Sequence, residues 1–295
     1  MRSALFTLLT LLAASSSWAD AVFFDDFQYP DAKAMTANGW KLRNGTGWPG
    51  VEGARWVAGG VGVIADPATP GNRLLQLSAA SDGSAKGTRH AQLCHERKYL
   101  EGTYAARVRF SDTPVHGPDG DEIVQTFYLI SPLKAPAHPD YSEIDFEYLP
   151  NGGWGASGAT FYVTTWETFI PAPKFWKDNQ HDRLRGSQAG WRTLVVQVAG
   201  GRVEYFVDGT PLARHGGGYY PEVPMSINFN LWFSALGANS SQPRAYLEQV
   251  DWVLHVPGQV LSPAEVHARL TQLRRDKVAF RDTVPSRNLA SPCDL

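Results

Sequence analysis

Ser142-Glu143-Ile144-Asp145-Phe146-Glu147-Tyr148 alternates in polarity along its whole length. In an extended chain successive side chains point to opposite faces. Ile144, Phe146 and Tyr148 therefore share one face, and Glu143, Asp145 and Glu147 share the other. A period of two with one apolar face predicts a half-buried strand. Acids aligned on the other face repel one another. Such a row is expected only where solvent, a cation or chemistry uses it.

The same period recurs on both sides of this stretch. In 104–110, Tyr104, Ala106, Val108 and Phe110 oppose Ala105, Arg107 and Arg109. In 225–232, Met225, Ile227, Phe229 and Leu231 oppose Ser226, Asn228, Asn230 and Trp232. Leu194, Val196 and Val198 alternate, and 203–207 runs into Asp208-Gly209, a hairpin-turn signal. Further strands are expected at 22–27, 74–78, 123–130, 160–165 and 250–256. One helix is expected, from Ser262 to about Asp276. Ser262 can cap it, Pro263 suits its first position, and Glu265 completes a capping box. Val266, Leu270 and Leu273 form its apolar stripe. Many short strands between turn residues predict an all-β sandwich of two antiparallel sheets, or a jelly roll, with a short C-terminal helix.

Composition narrows the possible functions. The 295 residues carry a net charge of -2, and charged residues are 19% of the chain. That is too apolar for disorder, and it gives no basic excess for nucleic acid. With 28 Gly, 20 Pro and 10 Trp, the chain suits turns, short strands and surfaces that stack on flat ligands. Residues 1–19 have the form of a secretory signal. Met1-Arg2 is a positive start, 4–14 an apolar run, and Ser15-Ser16-Ser17-Trp18-Ala19 a small-residue cut site, with Ala21 as the alternative. The apolar run is shorter than the about 20 residues that cross a bilayer. A secreted jelly-roll domain over 20–260 and a helical extension over 261–295 are expected. Cys94 and Cys293 are the only cysteines. In an exported chain they are expected to form a disulfide tying the tail to the body, the alternative being two free thiols.

The row of acids admits a chemical test. Glu143 and Glu147 are four residues apart, so their Cα atoms lie about 13 Å apart on a strand. Side chains leaning together bring the carboxyls toward the about 5–5.5 Å of a retaining glycosidase. An inverting pair, at about 6.5–9.5 Å, is not excluded by the spacing. Asp145 between them could orient one Glu and separate their pKa values. A solvated face or a calcium-binding face are the other readings.

Glu143-Ile144-Asp145-Phe146-Glu147 resembles the E-x-D-x-E signature of glycoside hydrolase family 16. Phe23-Phe24-Asp25-Asp26-Phe27 looks like that family's opening strand, and Gly102-Thr103-Tyr104-Ala105-Ala106-Arg107-Val108 like its G-x-Y-E-A-R strand, with Ala105 in place of Glu. Tyr205-Phe206-Val207-Asp208-Gly209 looks like its late hairpin and Val250-Asp251-Trp252-Val253 like its closing strand. The stretch 224–232 is most similar to the lichenase and xyloglucan-transglycosylase branches, and the likeness spans roughly 22–256. The resemblance implies a concanavalin A-like jelly roll binding polysaccharide in a concave cleft, and retaining double displacement. It implies Glu143 as nucleophile, Glu147 as general acid and base, and Asp145 as the assisting group. A structural calcium accompanies some members, so one is possible here. No other cofactor is implied.

The likeness is weaker at the subsites. Where the family often has W-P-x-F-W, this chain has Val124-Gln125-Thr126-Phe127-Tyr128, so Val124 and Tyr128 stand in for two cleft tryptophans. Tyr128, Trp154, Trp166, Asn230 and Trp232 are the candidate sugar contacts. Trp40, Trp48, Trp56, Trp176, Trp191 and Trp252 are expected in core or loop packing. His138, His181 and His215 lie in loop-like surroundings, and no HExxH motif or nucleophile elbow occurs. The expectation is a monomeric, secreted endo-acting hydrolase of a β-linked polysaccharide, β-glucan first, with neither nucleic acid nor membrane as partner. Transglycosylation on the same intermediate and non-catalytic carbohydrate binding are the competing readings.

Overall fold

The computed structural model describes residues 21–291 and residue 293. The proposed signal segment 1–19 lies outside the described residues. The N-terminal third forms strands β1 (Phe23–Asp25), β2 (Lys41–Leu42), β3 (Arg55–Trp56), β4 (Val61–Ala65), β5 (Arg73–Ser81) and β6 (Arg89–Cys94). Then follow β7 (Gly102–Phe110), β8 (Glu122–Ile130), β9 (Glu143–Leu149), β10 (Thr160–Ile170), β11 (Trp176–Arg185), β12 (Gly190–Ala199) and β13 (Arg202–Val207). Strands β14 (Thr210–Gly216), β15 (Ser226–Ala235) and β16 (Arg244–Pro257) precede helix α1 (Pro263–Arg275) and strand β17 (Phe280–Asp282).

These strands form two sheets of a jelly-roll sandwich. The first runs β6-β15-β8-β9-β10-β11, all antiparallel, with β2 outside β6. The second runs β14-β13-β12-β7-β16. Beyond β16 lie β5 and β4 along its first half, and β1 and β17 along its second. The two sheets are joined at one edge where β6 pairs with β5, and the short β3 runs parallel to β6.

The period-two residues meet between the sheets. Tyr104, Ala106, Val108, Phe127, Phe146, Leu194, Val196, Ile227 and Phe229 belong to one buried cluster. Phe127 stacks between Phe146 and Phe229, with centroids 5.9 and 5.3 Å away. The β13–β14 hairpin turns through Asp208 and Gly209, both at positive φ (49° and 80°), the geometry of the tight turn that matches strand twist. Strand β1 stops at Asp25, short of the expected 22–27. Phe27 takes φ 51°, and its backbone N–H donates to the Asp25 side chain rather than to a neighbouring strand.

Helix α1 has the expected capping box. The Ser262 side chain accepts from the Glu265 N–H, and Glu265 reaches back to the Ser262 N–H. Val266, Leu270 and Leu273 are buried against Phe24, Ala105, Val195, Trp252 and Leu254, on the outer face of the second sheet. Burying each such side chain contributes about 1.5–3 kcal/mol. The segment 261–295 does more than append a helix. Its β17 pairs with β1, so the tail completes the second sheet. Cys94 and Cys293 are disulfide-bonded, and the Cys293 sulfur also sits 3.5 Å from the Lys41 carbonyl oxygen. Among the described residues no helix is long and apolar enough to cross a membrane.

Candidate active site

Strand β9 lies inside the first sheet, between β8 and β10. Its register places Glu143 beside Ile130 and Trp166, Asp145 beside Tyr128 and Thr164, and Glu147 beside Thr126 and Tyr162. The acids stand on the sheet face turned away from the core. Over that face lies a cavity of about 490 Å³, lined by all three acids together with Tyr128, Trp154, Trp166, Asn230 and Trp232. The eight residues come from five separate segments of the chain.

Each acid has a different environment. Tyr141, buried just before β9, donates its hydroxyl to Glu143 Oε2 at 2.5 Å. Trp166 Nε1 donates to Asp145 Oδ2 at 2.6 Å. The Glu147 carboxyl has no hydrogen-bond partner among the described residues. Burial raises the pKa of all three above the ordinary carboxylate range. Burial raises Glu143 to about 7, and hydrogen bonds from Tyr141 and Asp145 partly offset that rise. Burial, then the charges of Glu143 and Glu147, push Asp145 well up, and its hydrogen bond with Glu143 adds to the rise. Burial and the Glu143 charge raise Glu147, with Lys177 opposing. The strand thus holds one glutamate anchored by hydrogen bonds and one without such an anchor.

Two aromatic walls flank the acids. Near Glu147, Trp154 is half-exposed and leans on Tyr162 and Trp232, at 5.8 and 6.3 Å between centroids. Near Glu143, Trp48 stacks on Phe169 at 5.5 Å, with Phe175 adjoining Phe169 at 6.3 Å. The floor is polar and already hydrogen-bonded. Thr126 donates to Asn230 Oδ1 at 2.6 Å, and Gln92 donates to the Tyr128 hydroxyl at 2.8 Å.

Solved structures share this architecture. A Bacillus licheniformis β-glucanase superposes with a TM-score of 0.56 over 81% of this chain and 99% of its own, at 16% identity. A Bacteroides ovatus family 16 enzyme in complex with a G4G4G3G product gives 0.59 over 78% and 98%, also at 16% identity. This is the fold of glycoside hydrolase family 16. Porphyranase B from Zobellia galactanivorans gives 0.55 over 79% and 89%, at 13% identity. No family model matches the sequence, and no curated protein matches it.

Within the family 16 fold the structure corrects several expectations. Trp48, expected in packing, is 52% exposed and stands on the cleft rim. Its loop approaches because Gly50, at φ 115°, lies where a side chain would strike His90 at 2.4 Å. His181 and His215 are not in loops. His181 is in β11 and lines the cleft, while His215 is buried in β14 between Thr165 and Asp182. Strand β11 escaped the period-two reading because it is polar on both faces, as an edge strand beside a wet cleft can be. Trp40, Trp56 and Trp252 are buried as expected.

Other cleft residues were not legible. Tyr162, Thr164 and Trp166 point into the cleft by simple alternation, but Phe169 joins them across a change of parity. A register shift between Trp166 and Thr168 re-aims it. Arg43 donates to Gln92 at 2.9 Å and lies over the Trp56 ring at 4.3 Å. Nothing in the local sequence marks it. Tyr141 carried a weak signal, standing two positions before the first acid. Among the described residues no group of three or more His, Cys, Asp or Glu is arranged to hold a metal ion.

Proposed function

We propose that this protein is a retaining endo-β-glycanase. The carrying observation is the asymmetry of the two glutamates on β9. Glu143 is oriented by the Tyr141 hydroxyl at 2.5 Å, whereas Glu147 is unanchored and raised to about 8, chiefly by burial. Glu143 attacks the anomeric carbon while Glu147 gives its proton to the leaving glycosidic oxygen. Glu143 then becomes an ester, its charge is lost, and the Glu147 pKa falls. Glu147 is thereby suited to take a proton from the water that releases the sugar. Asp145, protonated and held by Trp166, donates to Glu143 and fixes its rotamer.

The aromatic walls and polar floor suit a chain of sugar rings, whose flat faces stack on indole and phenol. The similar structures include one in complex with an oligosaccharide product, which supports a β-glycan substrate. The disulfide suits an exported protein. The test is a panel of β-glycans offered to wild type, Glu143→Gln and Glu147→Ala, with azide added to the last. Expected are loss of turnover in Glu143→Gln and a β-configured glycosyl azide from Glu147→Ala. Full activity in Glu143→Gln would sink the nucleophile assignment, and an α-configured azide from Glu147→Ala would sink retention.

A further inference from the structure

Strand β11 closes one end of the cleft. It lies two strands from β9, so its backbone is about 10 Å from the strand bearing the acids. Its alternate residues Lys177, Asn179, His181 and Arg183 line the cavity. They form a row of donors without a carboxylate. The acids of the same strand lie on its other face and are engaged there. Asp182 meets His215 at 3.2 Å, and Asp178 accepts from the Tyr219 hydroxyl at 3.0 Å.

The donors of the cleft-facing row are unspent. Neither Lys177 nor Arg183 has a carboxylate partner among the described residues. Lys177 lies against the Trp166 ring, with Nζ 5.5 Å from its centroid, and its charge acts on Glu147 without a hydrogen bond between them. The Asn179 side-chain nitrogen is buried without a hydrogen-bond partner. A buried donor left unpaired is costly, which points to a ligand that pairs it. Away from Glu143, Asp145 and Glu147, the cleft lining carries no acid. A neutral glycan would leave Arg183 without a carboxylate partner and Lys177 with only the charge of Glu147 nearby.

Resting on the glycanase reading, we infer that the β11 end of the cleft is a subsite for an anionic sugar. The substrate is an acidic polysaccharide carrying sulfate or carboxylate on the residue that reaches Lys177, Asn179 and Arg183. Arg183, level with Glu147 across Tyr162, presents a planar fork of donors suited to either anion. Lys177 adds a point charge beside the Trp166 ring.

The test uses the full chain as Glu143→Gln and three probes in calorimetric titrations. These are a neutral mixed-linkage β-glucan oligosaccharide, a β-glycan oligosaccharide carrying glucuronate, and a sulfated galactan oligosaccharide. At low salt at least one acidic probe is expected to bind on the order of tenfold tighter than the neutral one. High salt should shrink that advantage. Adding Lys177→Ala and Arg183→Ala should bring the acidic-to-neutral ratio close to one. Preference for the glucuronate probe alone assigns carboxylate, and for the sulfated probe alone assigns sulfate. Equal or tighter binding of the neutral probe overturns the subsite, as does a ratio unmoved by the double substitution. Cleavage of the neutral glucan by wild type in that case leaves the glycanase reading standing. Acidic preference with no cleavage of any probe supports the subsite and defeats the glycanase reading.

Discussion

The Tyr141 hydroxyl donates to Glu143 Oε2 at 2.5 Å, so the first acid of β9 is held by a side chain two positions before it in sequence. Tyr141 is itself buried, against Phe169 at 5.2 Å between centroids. The phenol therefore has little freedom to turn away.

Removing that hydroxyl should move the pH profile. Glu143 must be ionised to attack, and the Tyr141 hydrogen bond lowers its pKa. Tyr141→Phe is expected to shift the rising limb of kcat/KM to higher pH. A hydrogen bond to a charged group is worth about 1.5–3 kcal/mol, or roughly one to two pH units. Coincident wild-type and variant rising limbs would refute the positioning role.

Glu147→Gln should separate substrates by leaving group. On polysaccharide, loss of the proton donor lowers kcat on the order of 10²–10⁴-fold. An aryl glycoside with an acidic phenol needs little protonation, so its bond-breaking step should be far less affected. Pre-steady-state release of the phenol measures this directly. Equal losses on both substrates would count against Glu147 as the acid.

The raised carboxyl pKa values also predict a stability profile. Glu143, Asp145, Glu147 and the buried Glu248 all have folded-state values above their ordinary ones, chiefly through burial. The folded chain then binds protons more tightly than the unfolded one at these sites. Their contribution is full below the ordinary carboxylate range and is lost as pH rises through the raised values. Buried His90, His95 and His255 have lowered values, so they act in the opposite sense, below about pH 6.5. Above neutrality only the carboxyl effect remains among these groups. Tm is expected to fall between about pH 6.5 and about pH 8, where the Glu147 value lies, and less steeply in Glu147→Gln. Parallel Tm curves would contradict the raised Glu147 value.

Leu270→Ala tests whether the tail is structural. Leu270 is buried on the outer face of the second sheet, across the sandwich from the acids. The truncation should cost about 2–5 kcal/mol of unfolding free energy in urea. Turnover by the folded fraction should be unchanged. A large fall in kcat with unaltered stability would place the helix in the functional site instead.

The sequence by itself determined the strands of the core, because a buried face imposes a period of two on neighbouring residues. It determined the Glu143–Asp145–Glu147 row for the same reason, and the helix through its Ser262 cap and Pro263. Tertiary structure decided which side chains share the cleft. Trp48 reaches it through the Gly50 loop and Phe169 through the bulge after Trp166, while the buried Tyr141 acts on it by its hydrogen bond to Glu143. Strand β11 is polar on both faces, so alternation could not mark it or show that its donors face the acids. These relations depend on cross-strand register and on loops that close over long stretches of chain. Local periodicity carries no information about either.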